Sequence, residues 1–206
     1  IGDAPNIFGT DDVKCLDPHW SPPIPPESDQ ATRDNRAKYN IALHQTANAI
    51  CKRSFLHHLD SLPAHQKTVL VTCGGCGSGK GFSIKNVGEV NHLSKEVGAI
   101  WDSAGDQNST ENPWIQAECE KRGIKVHYAF IHADPFSSWA APGKGVVERA
   151  GKNGRMVDGK VFVDSYAIGN ANFKAFADKH QNNPNANFFF IDNTDKPTKV
   201  DAFPQG

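Results

Sequence analysis

Residues 69 to 80 read Val-Leu-Val-Thr-Cys-Gly-Gly-Cys-Gly-Ser-Gly-Lys, a short apolar run followed by a glycine-rich turn that ends in lysine. The turn contains the pattern G-x-x-x-x-G-K, from Gly74 to Lys80, at the point where a strand is expected to lead into a helix. Glycines allow successive backbone N–H groups to converge on a phosphate, and the lysine neutralises charge on the outer phosphates. The stretch therefore predicts a nucleotide-binding loop. The residues predicted to contact the nucleotide are Gly74, Gly75, Cys76, Gly77, Ser78, Gly79, Lys80 and Gly81.

The segments around this loop alternate between strand-like and helix-like patterns. Strands are predicted at 67–72, 98–102, 124–132 and 187–192, and helices at 80–96, 112–122 and 164–180. Such alternation is typical of parallel β/α units. We therefore expect an α/β fold with a doubly wound, mainly parallel sheet of the P-loop NTPase type.

The N-terminal part of the chain has a different composition. Residues 1–30 contain six prolines and few aliphatic residues, so we predict an extended, proline-rich arm or linker without a helix. Apolar residues then recur at intervals of three and four from Tyr39 to Leu59, which predicts a helical extension over 31–63. The kinase-like domain is expected to span 31–206, with its core at 67–193.

The composition of the chain limits the kinds of partner that we expect it to bind and the cellular compartment that we expect it to occupy. A chain of 206 residues with a formal net charge of −1 is long enough for one domain and gives no charge-based reason to expect a nucleic-acid partner. No apolar stretch approaches the roughly 20 residues that span a bilayer. Five irregularly spaced cysteines argue against a disulfide scaffold and favour a reducing, cytoplasmic compartment. The chain begins with Ile1, so we interpret it as a piece of a longer polypeptide, whose parent protein could be delivered elsewhere.

Two of the cysteines, Cys73 and Cys76, form a C-x-x-C pair inside the predicted loop. Such a pair is compatible with a redox role, with half of a zinc site or with a structural role. No second cysteine or histidine pair completes a metal site, so we interpret Cys73 as the end of a buried strand and Cys76 as a loop residue.

Candidate catalytic residues follow the loop along the chain. Asp102 ends a predicted strand and should point into the crevice at the carboxyl ends of the strands, where it could hold Mg²⁺ through water or act as a base. Asp106 follows in a turn and is either a substrate-binding acid or a solvated turn residue. Arg149 and Arg155 flank 151–154, which we predict as a mobile loop that closes over a nucleotide; a basic surface loop is the alternative.

Gly81 departs from the usual pattern, because the residue after the lysine normally supplies a hydroxyl group to magnesium. Ser83 lies about 200° further round a helix and cannot simply replace it. Either water fills this coordination position or metal binding is weakened.

Three segments together resemble the zeta-toxin family of P-loop kinases, whose core is of the polynucleotide-kinase type. They are the loop at 71–80, the stretch 125–135 with its Ala-Asp-Pro end, and the pair of segments 147–150 and 154–157. The late strand ending in Asp192-Asn193 is also common in that family. The resemblance covers about residues 67–193.

The resemblance implies an ATP- and Mg²⁺-dependent kinase that phosphorylates a hydroxyl group of a nucleotide or of a nucleotide sugar such as UDP-N-acetylglucosamine. By position, Lys80 would bind the phosphates, Asp102 would lie near the metal or acceptor, and Arg149 and Arg155 would clamp the transferred phosphate. An inhibitory antitoxin-like protein, or the rest of a larger polypeptide, is the partner it implies. The alternative is a nucleotide-binding module with little turnover, acting as a regulatory or interaction domain.

Overall fold

A computed structural model of the chain describes residues 6–17, 20, 29–103, 109–140, 142 and 145–203. The strands are β1 (Asn6–Phe8), β2 (Thr68–Cys73), β3 (Ala99–Asp102), β4 (Lys125–His132), β5 (Ala186–Asp192) and β6 (Thr198–Val200). The α-helices are α1 (Thr10–Lys14), α2 (Gln30–Ser61), α3 (Lys80–Asn86), α4 (Gly88–Glu96), α5 (Glu111–Glu120), α6 (Pro135–Ala140), α7 (Val146–Asn153) and α8 (Gly159–His180). Within this described part of the chain, none of the helices is both long and apolar enough to cross a membrane.

The six strands form one sheet in the order β1-β3-β2-β4-β5-β6. All neighbouring pairs are parallel except β5 and β6, which are antiparallel. The chain passes from β2 to β3 on one side and then to β4 on the other. A crevice therefore opens at the carboxyl ends of β2 and β4, where α/β proteins bind ligands. The expected α/β fold with a mainly parallel sheet is confirmed.

Side chains of the central strands alternate between two cores. Val69, Val71 and Cys73 of β2 join one apolar cluster, whereas Leu70 joins the other. The first cluster lies under α2, α5 and α8, and the second lies under α3 and α4. Because both faces of the sheet are covered, the central strands read as continuous apolar runs, as expected for parallel sheets.

The N-terminal segment belongs in part to the sheet, which corrects the predicted arm and the absence of a helix in it. Asn6–Phe8 pairs in parallel with β3 at the edge of the sheet, and Thr10–Lys14 is helical. Ile7 and Phe8 form a short apolar run. The prediction overlooked it because it was based on the number of prolines in the first 30 residues. The other residues of the predicted arm, 1–5, 18–19 and 21–28, lie outside the described residues.

A buried tryptophan anchors this segment to the rest of the domain. Trp20 is 2% exposed, and its carbonyl oxygen accepts a hydrogen bond of 2.8 Å from Arg36 Nε on α2. The Lys14 ammonium and the Arg36 guanidinium both lie over its ring, 5.0 and 5.7 Å from the ring centroid. These cation–π contacts help to hold the N-terminal segment against α2.

Helix α2 is a layer of the core and not only an extension of it. Cys51, Phe55 and Leu59 are buried in the larger apolar cluster against β2 and β3. The predicted long helix at 80–96 is divided at Val87, where the backbone is extended. The tail after Asn193 contributes β6 to the sheet.

The loop predicted at 151–154 is helical as far as Asn153, and Gly154 ends the helix. Arg36 donates a hydrogen bond to the Asn153 carbonyl oxygen, and Asn40 Nδ2 donates one of 2.9 Å to that of Met156. Prediction of a mobile loop was therefore wrong. The end of α7 is held against α2 by two side chains from a helix more than 100 positions away.

We expect Phe55→Ala to lower the free energy of unfolding by about 3–5 kcal/mol, because it removes a fully buried ring. That ring lies 5.3 Å from Phe8 and 5.0 Å from Trp101, measured between centroids, so the cavity would loosen β1 as well. Ile41→Ala on the same helix is the control, since Ile41 is 76% exposed and should change stability by no more than about 0.5 kcal/mol. Denaturant unfolding measures both; similar losses in the two variants would contradict the described packing of α2.

Candidate functional site

The loop between β2 and α3, Gly74–Lys80, is called the glycine loop below. Gly74 has φ 135°, and a Cβ placed there would lie 2.3 Å from the Ile131 carbonyl oxygen, so only glycine fits. Gly79 has φ 80° and immediately precedes α3. The N–H groups of Gly77 and Gly79 have no hydrogen-bond partner among the described residues, so they remain as donors for an anion.

Lys80 folds back over the glycine loop. Its Nζ donates hydrogen bonds of 3.2 and 3.3 Å to the carbonyl oxygens of Gly74 and Gly75. Neutral carbonyl oxygens do not replace a counterion, so the ammonium group remains available to pair with an incoming anion. The position is the one the sequence predicts for a phosphate-binding lysine.

Helix α8 and the end of β5 support the glycine loop from outside. The Cys76 N–H donates to Ser165 Oγ at 3.0 Å, and Tyr166 Oη donates to the Cys76 carbonyl oxygen at 3.2 Å. Asn193 Nδ2 donates to the Ser78 carbonyl oxygen at 2.8 Å. The loop conformation is thus fixed by distant side chains as well as by its own glycines.

Asp102 lies beside the start of the glycine loop. It ends β3, is paired in register with Thr72 of β2, and accepts a hydrogen bond of 2.7 Å from the Thr72 hydroxyl group. Its side chain remains exposed at the edge of the sheet. This is the position expected from the sequence.

Two further acids, Asp11 and Asp12, come from α1, and the sequence analysis missed both. A Cβ placed on Gly9 would lie 2.9 Å from Asp12 Oδ2 and 3.9 Å from Asp102 Cβ, so the Asp12 and Asp102 side chains flank the same point. Burial raises the pKa of Asp12, and the neighbouring Asp11 and Asp102 carboxylates raise it further, against the opposing effect of Arg155. The only sequence signal was a pair of acids after a short apolar run.

Asp11 forms an ion pair with Arg155 and a second one, of 3.1 Å, with Lys14. Partial burial alone would raise the pKa of Asp11, but Arg155 and Lys14 outweigh it and hold the pKa below its ordinary value. The two neighbouring acids are therefore shifted in opposite directions. Asp11 is stabilised as a carboxylate, whereas Asp12 is destabilised as one.

Arg149 on α7 interacts electrostatically with Arg155, Asp11 and Cys76. Burial lowers the pKa of Arg149, and the like charge of Arg155 lowers it further. Its Nε is buried and has no hydrogen-bond partner among the described residues. A buried guanidinium donor without an acceptor, next to a second guanidinium, favours an anionic ligand.

These ion pairs, hydrogen bonds and electrostatic interactions connect one set of residues beside the glycine loop, which is called the circuit below. It runs from Cys76 to the two arginines, then to the α1 acids, and through Asp102 back to Thr72 at the start of the loop. Sequence analysis predicted the loop, Asp102 and both arginines, and the structure brings them together. Asp106, the predicted substrate-binding acid, lies outside the described residues.

The described side chains could bind Mg²⁺ only if the phosphates of a bound nucleotide supplied the remaining oxygen ligands. No group of three or more histidine, cysteine or acidic side chains within the described ranges could hold a metal ion. Ser83 Oγ is buried and cannot reach outward, whereas a Cβ on Gly81 would meet nothing within 4 Å. Asp102 and water in the open space at Gly81 can supply the few protein-side contacts that Mg²⁺ needs when phosphates supply the rest.

A cleft of about 650 Å³ leads away from the outer side of the glycine loop. Its walls include Phe82 and Asn86 of α3, Asp134, and the segment 193–197 after β5. Phe82 is 59% exposed, so its ring is available for stacking. The volume falls within the range typical of small-molecule sites.

Comparison with protein-family models gives no match, and comparison with curated proteins gives none either. Any function assigned to this site therefore rests on the chain's own residues and on the resemblance described above.

We expect Asp11→Asn and Asp12→Asn to change stability in opposite directions at pH 7. The pKa of Asp11 is lowered on folding, so its carboxylate stabilises the fold above the unfolded value of about 4, and Asp11→Asn should cost about 1 kcal/mol there. The pKa of Asp12 is raised on folding, so its carboxylate opposes folding at neutral pH, and Asp12→Asn should leave stability equal or higher.

The Asp12 difference should disappear below about pH 4, where the unfolded chain is protonated as well as the folded one. The Asp11 difference should begin to shrink at about pH 4 and disappear as the pH falls through the lowered pKa of the folded state. Urea unfolding of the two variants and the parent chain between pH 3 and 7 measures this. Loss of stability of the same sign in both variants at pH 7 would contradict the described electrostatics.

Proposed function

We propose that the protein is an ATP- and Mg²⁺-dependent phosphotransferase with a P-loop NTPase-type sheet, similar to the zeta-toxin kinases. The proposed acceptor is a hydroxyl group of a nucleotide or of a nucleotide sugar such as UDP-N-acetylglucosamine. The observation that carries the proposal is the circuit beside the glycine loop, which combines two arginines and three acids, Asp11, Asp12 and Asp102, next to the N–H donors of the loop.

The donor nucleotide would bind with its phosphates on the glycine loop. The free N–H groups of Gly77 and Gly79 and the Lys80 ammonium supply the hydrogen bonds and charge. The adjoining cleft has room for the nucleoside, with Phe82 as a stacking surface. The position of the glycine loop, the charge of Lys80 and the volume of the adjoining cleft all support binding of a nucleoside triphosphate.

The arginines provide positive charge where phosphoryl transfer needs it. Charge spreads over the equatorial oxygens of the transferred group in the transition state. The unsatisfied Nε of Arg149 and its electrostatic proximity to Cys76 support a role on that group. Arg155 is paired with Asp11, so we assign it to holding α1 and its acids in position as well as to charge stabilisation.

The acids would act on the acceptor side. Burial and the neighbouring carboxylates raise the pKa of Asp12, and a more basic carboxylate is better suited to accept the proton of a hydroxyl nucleophile. Asp102, with its lower burial and its Thr72 hydrogen bond, would hold the metal through water. When bound, Mg²⁺ neutralises charge on the phosphate oxygens.

A nucleotide-binding module with little turnover is the second candidate, and Gly81 is the observation that favours it. Without a hydroxyl group at this position the protein contributes fewer metal contacts, so binding could persist while transfer is slow. The two candidates differ in whether phosphate leaves ATP.

We expect the protein to bind ATP and to transfer its labelled γ-phosphate to at least one member of a panel of nucleotide sugars, nucleosides, dinucleotides and nucleic-acid 5′ ends. Lys80→Ala should weaken ATP binding at least about tenfold, which is 1.4 kcal/mol, and abolish transfer, because it removes the ammonium over the loop. Lys85→Ala is the control, since Lys85 lies on α3 outside the glycine loop. Calorimetry and thin-layer separation of products provide the measurements.

ATP binding that survives without Mg²⁺, with no phosphate transferred or hydrolysed, would select the module. No nucleotide binding at all, or equal binding by the Lys80 and Lys85 variants, would remove both candidates.

We expect Asp12→Asn and Arg149→Ala to lower the transfer rate by about 100-fold or more while ATP binding changes less than about threefold. Each removes a group assigned to the reaction and not to the triphosphate cradle. Glu148→Gln is a matched control on α7, because Glu148 pairs with exposed Lys152. Single-turnover rates with saturating ATP measure the effect; parallel loss of ATP affinity in both variants would refute this division of roles.

A further inference from the structure

A second cavity, of about 760 Å³, lies between α6 and α8 and is called the aromatic cavity below. Its lining includes the rings of Phe136, Trp139, Phe162, Tyr166 and Phe203. It is distinct from the cleft beside the glycine loop, with which it shares no lining residue. Volume and apolar lining are those of a small-molecule site.

Apolar side chains at this cavity remain in contact with solvent. Phe136 is 84% exposed and Val163 is 60% exposed, and both belong to the lining. Single exposed apolar residues need no explanation, but several around one concavity mark a binding surface. A concave shape that aromatic rings enclose suits a compact ligand better than a flat protein surface.

The polar groups that line the aromatic cavity favour an anionic ligand over a cationic one. Asn170 and Lys174 of α8 contribute to the lining, and the lining supplied by the described residues contains no carboxylate. Lys174 Nζ pairs with Asp178 at 2.7 Å, but this pair is exposed and so contributes little energy. An anion entering the cavity can therefore compete for the Lys174 ammonium.

The lining has a second basic residue besides Lys174. His132 at the end of β4 lines the cavity, and its imidazole interacts electrostatically with the carboxylates of Asp134 and Asp192, which do not line it. Lys174 is therefore the residue of the lining that we assign to an anionic group. A ligand matched to this layout has an apolar, planar body and a single anionic group at one end.

We propose that the aromatic cavity binds a small aromatic anion, a molecule with a body of two or three rings and one carboxylate, sulfonate or phosphate group. The rings pack among the aromatic side chains, and the anionic group pairs with Lys174. Asn170, one helical turn before Lys174, supplies a hydrogen bond to the same end.

This site borders the glycine loop without overlapping it. Tyr166 lines the cavity, and a Cβ placed on Gly75 would lie 2.4 Å from its ring, so one tyrosine separates the two sites. A ligand in the cavity would contact the side chain that supports the Cys76 carbonyl group. Binding in the cavity does not require the proposed phosphotransferase activity.

The test is a fluorescence titration of the full chain with 1-anilinonaphthalene-8-sulfonate, without nucleotide. Ala171→Trp should fill the cavity and weaken binding at least about tenfold, because Ala171 belongs to the lining. Ala175→Trp is the matched control, since Ala175 is exposed on the same helix and outside the lining. It should change the dissociation constant less than about twofold.

A second pair of variants tests whether Lys174 pairs with the anionic group of the ligand. Lys174→Gln should weaken binding of the sulfonate about two- to fivefold, and binding of the neutral analogue N-phenyl-1-naphthylamine should not change. Lys179→Gln, near the end of α8 and outside the lining, should affect neither probe.

Equal binding by the two tryptophan variants would overturn the proposal, as would displacement of the probe by ATP, which would locate it at the glycine loop. Equal effects of Lys174→Gln on both probes would overturn the assignment of the anionic group. Near-UV circular dichroism and the unfolding midpoint establish that each variant is folded, because the probe also binds partly unfolded chains.

Discussion

In a parallel sheet, each strand delivers the residues that follow it to the same edge, and this constraint assembles the candidate site. The glycine loop follows β2, Asp102 ends β3, Asp11 and Asp12 follow β1, and Asn193 follows β5. These residues are far apart in the sequence. They meet because the β1, β3, β2, β4 and β5 strands all run in one direction, and the side chains then need only short reaches to interact.

At this edge of the sheet, neighbouring charged groups affect the stability of the fold in opposite directions. Asp11 lies among cations and contributes to holding the N-terminal segment in place, whereas Asp12 keeps a charge that its surroundings disfavour. Arg149 has a buried donor without an acceptor, which is also unfavourable in the absence of a ligand. Groups that oppose folding often occur where binding or reaction requires them, which is the reason for assigning Asp12 and Arg149 to the proposed reaction.

Much of the fold could be predicted because its signals are local. The Val-Leu-Val run before Gly74, the apolar stretch that became β4 and the acid at the end of β3 each reveal their structure within a few residues. The arginines at 149 and 155 were predicted as site residues, but the glycines near them were interpreted as a loop. Tertiary contacts from Arg36 and Asn40 extend and fix that helix end, and no local pattern contains them.

The missed acids illustrate a different limit. Strand β1 has three residues, and its partner strand lies more than 90 positions later in the chain. The short apolar run before Asp11 and Asp12 therefore does not by itself indicate that they follow a strand of the sheet. The aromatic cavity is similar, since its walls come from α6, α8 and the segment after β6. Such features depend on the relative placement of distant elements. Periodicity and propensity describe only the elements themselves.

The edge position of β1 has a consequence for a chain emerging from the ribosome. Strand β1 is synthesised before its neighbour β3 and before the arginine that pairs with Asp11, which follow roughly 90 and 140 residues later. Until then the nascent polypeptide carries its acids without a scaffold to hold them. The circuit is therefore assembled only after translation has passed Arg155, and a fragment released earlier would lack the ion pair that holds Asp11.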